Sequence, residues 1–366
     1  MKVVTAGEIL DIKTGKYDAN HASLNGKYRF FTCAMESSMA DTFAFDDEVL
    51  ILPGNGANVG EVFYYKGKLE AYQRTYVLHN ISQNTKYLYY YFKKNWIRQI
   101  TKRQVGSATN YIKMDDIVSF EIPLPPLEQQ QKIASILDAA DTLRQKDKAL
   151  LAKYDELTQS LFLDMFGDPV SNPKRWEKIK LEKINNISSG STPSRDVPSY
   201  YDGNIPWVKT GEVNGTLIYQ TSEKISIEAI KNSSCKLYPK GSIIIAMYGQ
   251  GKTRGQIGVL GIEASTNQAC GVLPPSDKIN FRFLFNLLQM SYDDLRSLGR
   301  GGNQPNLNSG ILKKYEVINP PLLLQTQFVE RVAIIEQQKA QVQVSMEKSE
   351  ELFNSLLQKA FKGELV

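Results

Sequence analysis

Glu121-Ile122-Pro123-Leu124-Pro125-Pro126-Leu127-Glu128-Gln129-Gln130 returns 195 residues later as Glu316-Val317-Ile318-Asn319-Pro320-Pro321-Leu322-Leu323-Leu324-Gln325. In both copies a short apolar run meets two prolines, and the next stretch of about 39 residues has neither Gly nor Pro. Proline stops a strand and is tolerated in the first turn of a helix, so each block reads as strand end, corner and helix start. The same offset holds on either side. Gln73, Val77 and Leu78 fall on Gln268, Val272 and Leu273, and Glu156, Leu157, Ser160, Leu161 and Phe166 fall on Glu351, Leu352, Ser355, Leu356 and Phe361. Gly54, Gly56 and Gly60 align in the same register with Gly249, Gly251 and Gly255, and Gly106 with Gly301. Before Asp46 the offset is 175, because Val4, Ile9, Ile12 and Gly15 match Ile179, Ile184, Ile187 and Gly190. A period this long is a duplicated domain rather than a solenoid unit, with roughly twenty extra residues in the opening loops of the second copy.

The stretch after each double proline reads as one long helix. In the second, Phe328, Val332, Ile335, Val342, Met346, Phe353, Leu356 and Ala360 follow alternating steps of four and three, interrupted by Lys339 and Ser349. The first carries Ile133, Leu137, Ala140, Leu151, Tyr154, Leu161 and Met165, with Leu143, Leu150 and Leu157 on an adjacent face. That is coiled-coil spacing. A 39-residue helix is about 58 Å long and cannot bury its stripe alone, so an intramolecular antiparallel pair is the simplest arrangement. Gly167-Asp168-Pro169 closes the first helix and begins a linker. Val49 to Leu52 and Ile243 to Ala246 read as buried strands, and Asn84 to Ile100 and Phe281 to Ser297 as helices. The fold class expected is α/β (α+β): globules over 1–122 and 169–318, each followed by a long helix over 123–168 and 319–366, the helices pairing about a pseudo-twofold axis.

The 366 residues have 42% hydrophobic content and mean hydropathy −0.33, with no run of eighteen apolar residues. A start of Met1-Lys2-Val3-Val4-Thr5 is unlike a signal peptide, so a cytoplasmic location and no membrane are expected. Cys33, Cys235 and Cys270 read as isolated free thiols, and His21 and His79 lack counterparts in the other copy. The two helical stretches carry ten basic and thirteen acidic residues, which leaves 34 basic and 26 acidic elsewhere. The positive balance therefore sits on the globules, as a polyanion partner requires.

Two motifs suggest chemistry and fail on inspection. Ala246-Met247-Tyr248-Gly249-Gln250-Gly251-Lys252-Thr253 fits a phosphate loop, but three glycines and strand-like alternation come next where a helix is required. Its duplicate has Ala57 and Asn58 in place of Lys and Thr, so a glycine-rich, basic hairpin loop is expected. Asn319-Pro320-Pro321-Leu322 lacks the aromatic of the amino-methyltransferase motif and its duplicate reads Leu124-Pro125-Pro126-Leu127. No duplicated acid pair, Ser/His arrangement or Cys nucleophile stands out, and neither catalysis nor a cofactor or metal is expected.

Binding residues remain. Arg, Lys, Asn and Gln pair with base edges, while Lys and Tyr serve phosphates. On that ground the candidate DNA contacts are Asn55, Asn58, Tyr72, Gln73, Arg74, Arg103, Gln104 and Asn110 in the first globule. In the second they are Lys209, Lys252, Thr253, Arg254, Asn267, Gln268, Arg300, Asn303 and Gln304. The tyrosine-rich run Tyr87 to Phe92 reads as core.

Taken together the chain resembles the specificity subunit of type I restriction-modification systems. The resemblance rests on the two Pro-Pro-Leu starts with Gln130 and Gln325, the string Phe166-Gly167-Asp168-Pro169, the ending Ala360-Phe361-Lys362-Gly363-Glu364-Leu365 and the loop from Gly301 to Leu307. It implies that each globule reads one half of a bipartite site in double-stranded DNA. The helix pair would set the unread spacer and dock two methyltransferase subunits, with restriction subunits joining the larger complex and catalysis left to those partners. The first globule is shorter than the family pattern. Two rival readings are a coiled-coil scaffold with non-DNA ligands, which would lack salt-dependent affinity for duplex DNA, and a nucleotide-dependent enzyme, which would bind ATP or a methyl donor alone.

Overall fold

A computed structural model describes residues 2–101, 110–299 and 306–365. They form two compact units, residues 1–149 with 343–366 and residues 150–342. In chain order the elements leading to the first long helix are β1 (Lys2–Thr5), β2 (Asp11–Thr14), β3 (Tyr28–Phe31), β4 (Ser38–Ala40), β5 (Phe45–Pro53), β6 (Phe63–Ala71), β7 (Thr75–His79), α1 (Thr85–Thr101), α2 (Met114–Val118), β8 (Glu121–Leu124) and α3 (Leu127–Phe166). The second series is β9 (Lys178–Lys180), α4 (Leu181–Ile184), β10 (Ser188–Ser189), β11 (Ile205–Val208), β12 (Leu217–Ile218), β13 (Glu223–Ile225), α5 (Ile227–Asn232), β14 (Ile243–Ala246), β15 (Ile257–Leu260), β16 (Ser265–Thr266), β17 (Cys270–Leu273), α6 (Phe281–Met290), α7 (Tyr292–Ser297), α8 (Ser309–Lys314), β18 (Glu316–Ile318) and α9 (Leu322–Lys362).

The duplication is visible in strand order. The first unit's sheet runs β2-β7-β5-β6-β3-β4, and the second unit's runs β10-β17-β14-β15-β12. Each has an antiparallel centre and a parallel outer pair, β3 with β6 and β12 with β15. A two-stranded ladder closes each globule, β1 with β8 and β9 with β18. The 175 offset is real: Val4 faces Ile122 where Ile179 faces Val317, and Lys13 faces Val77 where Ser188 faces Val272.

The gapless 195 register needs a correction at the strand before the glycine loop. Leu50 faces Leu78, whereas Ile243 faces Leu273. Leu78 and Leu273 are 195 apart, but Leu50 and Ile243 are 193 apart. Gly54 donates its N–H to Arg74 O at 2.9 Å, and the matching donor in the second unit is Met247, to Ala269 O at 2.8 Å. Gly54 therefore corresponds in space to Met247 and Gly56 to Gly249. The second loop is two residues longer, and the register returns to 195 only near Gly60 and Gly255. Because strand faces alternate, a two-residue slip keeps every apolar side chain on its own face, so the hydrophobic pattern does not reveal it.

The apparent shortness of the first globule also has a structural account. Its main sheet has all five common strands and adds β4, but among the described residues it has no equivalent of the second unit's three-stranded β13-β11-β16 sheet. That sheet has its own core of Trp207, Ile225, Ala229 and Cys235.

Within each unit the segments of α3 and α9 run in opposite directions. In the first, Ile133, Leu137 and Ala140 share a core with Phe353 and Ala360, Arg144 bonds Glu350 at 3.0 Å and Asp147 accepts from Ser345 at 3.2 Å. In the second, Phe162 and Phe166 pack on Phe328, and Lys339 pairs with Asp155. Every seam position expected on α9 is buried or half-buried. On α3 the intervening seam positions are polar: Arg144 stacks 4.4 Å from the Phe353 ring and Asp147 is buried. Leu143, Leu150 and Leu157 stay exposed.

Candidate nucleic-acid interface

In the first unit one end of the main sheet gathers most of the candidates. β5 leaves the sheet at Pro53, and its loop is sewn to two other segments through backbone groups. Gly54 N–H donates to Arg74 O, Ile112 N–H to Gly54 O at 2.9 Å and Gly56 N–H to Asn110 O at 2.9 Å. Asn55 bridges Tyr111, and Tyr72 bridges Tyr17. The loop thereby brings Asn55, Tyr72, Gln73, Arg74 and Asn110 to one edge, with Gln73, Arg74 and Asn110 exposed. Asn58 is different: its Nδ2 donates to Cys33 O at 2.8 Å, so that amide holds the loop together. Arg103 and Gln104 lie outside the described residues.

Gly54 is needed because the turn comes so close. A Cβ there would stand 2.1 Å from Arg74 O, a backbone atom that cannot swing away. Gly54→Ala is therefore expected to destabilise the first unit by about 1–3 kcal/mol. Urea denaturation reads this directly, and an unchanged midpoint would contradict it.

The second unit builds the same edge with different side chains. β14 and β15 are antiparallel neighbours, so Tyr248 to Gln256 is a hairpin loop and no helix follows it. The phosphate-loop resemblance ends there. Gly249, Gly251 and Gly255 adopt φ of 143°, 57° and 86°, conformations that glycine enters without steric cost. Met247 N–H donates to Ala269 O, and Leu307 N–H to Met247 O at 3.0 Å, which sews the loop to the turn carrying Asn267 and Gln268. Lys252 and Gln268 are exposed, while Thr253, Arg254 and Asn267 are half-buried. Gln268 Oε1 accepts from Thr192 Oγ1. Arg300, Asn303 and Gln304 lie outside the described residues.

Several residues here carry no mark in the linear sequence. Tyr292 OH donates to Lys252 O at 2.7 Å, and Arg296 donates to Arg254 O at 2.8 Å and Gly251 O at 2.6 Å, so α7 buttresses the loop from below. Lys209 reaches Glu223 Oε1 at 2.7 Å, and Arg195 takes the other carboxylate oxygen at 2.7 Å while lying over the Tyr201 and Trp207 rings. The Lys209 ammonium is thus already engaged within the unit. Its contact Glu223 is held below the usual carboxylate range by the Arg195 hydrogen bond first and the Lys209 bond second. A lowered folded-state pKa adds stability above the ordinary Glu range, and that stability is lost as pH falls through the folded value. Carboxyl titration by NMR should give Glu223 a midpoint below an ordinary Glu; a midpoint at or above it would contradict the cluster.

Burial pushes the Cys270 thiol up to about 12, which keeps it protonated and unreactive at neutral pH. Among the described residues no group of three or more His, Cys, Asp or Glu could hold a metal ion, and no helix is long and apolar enough to cross a membrane.

The fold defines a class first: a duplicated α/β module with polar loops at one sheet end, each copy joined to a long helix. The family follows from comparison with known proteins. The family model described as "Type I restriction modification DNA specificity domain" matches residues 1–153 and 173–348, and the chain belongs to that family. It is 29% identical over 408 residues to the type I restriction enzyme EcoDI specificity subunit of Escherichia coli, covering 100% of this chain and 88% of that relative. It is 28% identical over 261 residues to the MjaIX specificity subunit of Methanocaldococcus jannaschii, covering 66% of this chain and 60% of that one. The type I restriction-modification S subunit from M. genitalium has a similar fold, with a TM-score of 0.66 at 18% identity over 98% of this chain and 95% of that chain.

Proposed function

We propose that this chain is the DNA-specificity subunit of a type I restriction-modification complex, with each globule reading one half of a bipartite site. The observation that carries this reading is one backbone frame used twice with different side chains at the same loop ends. Gln73 and Arg74 stand in the turn where the second unit has Gln268 and Ala269. The exposed Lys252 stands in the second loop, which is two residues longer than the first. Matching frames present two readers to one kind of polymer, and different side chains read different half-sites.

On this reading the segments 1–122 and 169–318 are target-recognition domains, and 123–168 and 319–366 set the unread spacer and dock two methyltransferase subunits. Restriction subunits join the larger assembly, which works in the cytoplasm. Methyl transfer, ATP use and cleavage belong to the partners, and this chain contributes recognition alone. The candidate contacts Asn55, Tyr72, Gln73, Arg74 and Asn110 serve one half-site, and Lys252, Thr253, Arg254, Asn267 and Gln268 the other. Single-molecule methylation mapping in a host carrying the subunit and its partners should return a motif in two parts separated by an unread gap of constant length. A continuous motif, or methylation without sequence preference, would overturn the proposal.

A further inference from the structure

Gln130 and Gln325 are fully buried amides at the start of α3 and α9. Each sits in the first turn of its helix, a place where a polar side chain ordinarily reaches water. Gln130 Nε2 donates to Pro125 O and Gln83 Oε1, both at 2.9 Å, and its Oε1 accepts from Asn84 N at 3.1 Å. Gln325 Nε2 donates to Pro320 O at 2.7 Å and Asn319 Oδ1 at 3.2 Å, and its Oε1 accepts from Asn280 N at 2.8 Å. Two of the three bonds are common to both copies and the third differs. The common pair ties the proline corner of the long helix to the residue that heads a globule helix. Asn84 caps α1 by accepting from Tyr87 N at 2.9 Å, and Asn280 caps α6 by accepting from Arg282 N at 3.0 Å.

The far ends of those globule helices give the joint a consequence. α1 packs on β5 and β6, its Tyr87, Leu88 and Trp96 sharing one core with Leu50 and Leu52, and its last turn abuts the reading loop, where a Cβ on Gly60 would meet Ile97 Cδ1 at 2.3 Å. In the second unit α6 leads into α7, whose Tyr292 and Arg296 hold the Gly249-to-Gly255 loop. The first joint thus stands at the root of a stiff lever whose tip touches the loop, and the second at the root of α6, whose continuation α7 holds its loop. A 17-residue helix is about 25 Å long, so a tilt of roughly 5° at the joint moves the tip by about 2 Å. Hydrogen bonds to base edges do not survive such a displacement.

We propose that Gln130 and Gln325 are positioning residues, each setting the fidelity with which its own globule reads its half-site. This rests on the DNA-reading function above. A merely structural amide would change the amount of folded protein and leave the choice of sequence alone. The complete subunit with its methyltransferase partners is the material to test, carrying Gln130→Leu or Gln325→Leu. Leucine keeps the volume and leaves the half-buried Asn84 or Asn280 N–H without its side-chain acceptor.

Methylation of a site library altered one base pair at a time is the readout. Gln130→Leu should raise methylation of sites mismatched in one half by about ten-fold relative to the intact site, with the other half read as strictly as before. Gln325→Leu should do the reverse. Loss of fidelity in both halves alike, a uniform fall without change of preference, or unchanged fidelity would each overturn the inference. Should the leucine variants fail to assemble, Gln83→Ala and Asn319→Ala remove one bond apiece and must show the same half-confined pattern in weaker form; unchanged preference there overturns it. An unaltered subunit that yields no two-part motif sinks the reading itself, whereas a two-part motif that the variants leave intact sinks only the role of the glutamines.

Discussion

Replacing Phe328 with Ala is expected to destabilise the second unit by about 3–5 kcal/mol. Phe328 is fully buried in the first turns of α9, with ring centroids 5.5 Å from Phe162 and Phe166 on α3 and 6.2 Å from Phe283 on α6. It is therefore where the two long helices and the globule meet within that unit. Truncation removes a ring's worth of apolar contact and leaves a hole ringed by three other aromatics, which cannot collapse without turning off their rotamers. The corresponding fall in melting temperature is roughly 10 °C for a unit of this size. Leu323, five residues earlier and 69% exposed, is the control, since Leu323→Ala should stay within about 0.5 kcal/mol. Scanning calorimetry of both variants decides the matter. Equal melting temperatures would mean that the aromatic cluster does not hold the helices.

The second large effect is on recognition. Gln73→Ala combined with Arg74→Ala, in the assembled complex, is expected to weaken binding to cognate DNA by roughly 100-fold or more, since a good bidentate base contact is worth about 1–3 kcal/mol. Stability should hardly move. The turn is kept by backbone groups, with Gln73 N–H donating to Tyr17 O at 2.8 Å and Arg74 O accepting from Gly54, and both side chains are exposed. Binding titrations at a stated salt concentration measure the loss, and competitor DNA separates it from the uniform phosphate term. A small, sequence-independent loss would show that this turn faces away from the bases.

Much of the frame is legible in the sequence because its causes are local. Double prolines, glycine-free runs and heptad spacing mark α3 and α9 nearly to the residue, and the 175 offset of the opening residues coincides with the matched registers of the two closing ladders. The helix expected over Phe281 to Ser297 is broken at Ser291 into α6 and α7, since Ser291 folds its hydroxyl back onto Leu287 O. The two-residue slip of β5 against β14 stays hidden because it preserves the alternation of faces. The β13-β11-β16 sheet is hidden because its strands are two to four residues long and one of its pairings is parallel and distant, Trp207 with Ser265. At the interface, residue type identifies candidates without saying which are exposed. Gln73 and Gln268 face solvent, but Asn58 and Lys209 have their polar groups engaged inside their own units. The buttresses Tyr292 and Arg296 act through backbone carbonyls, which no residue pattern announces.

The central claim is that two globules of one frame read two independent half-sites. Exchanging residues 1–122 for the matching segment of a related specificity subunit, and mapping methylation in a host that supplies the partner subunits, tests it most directly. The account predicts that one half of the motif changes to that of the donor while the other half and the gap length stay as they were. A motif unchanged by the exchange, or one altered in both halves, would contradict it.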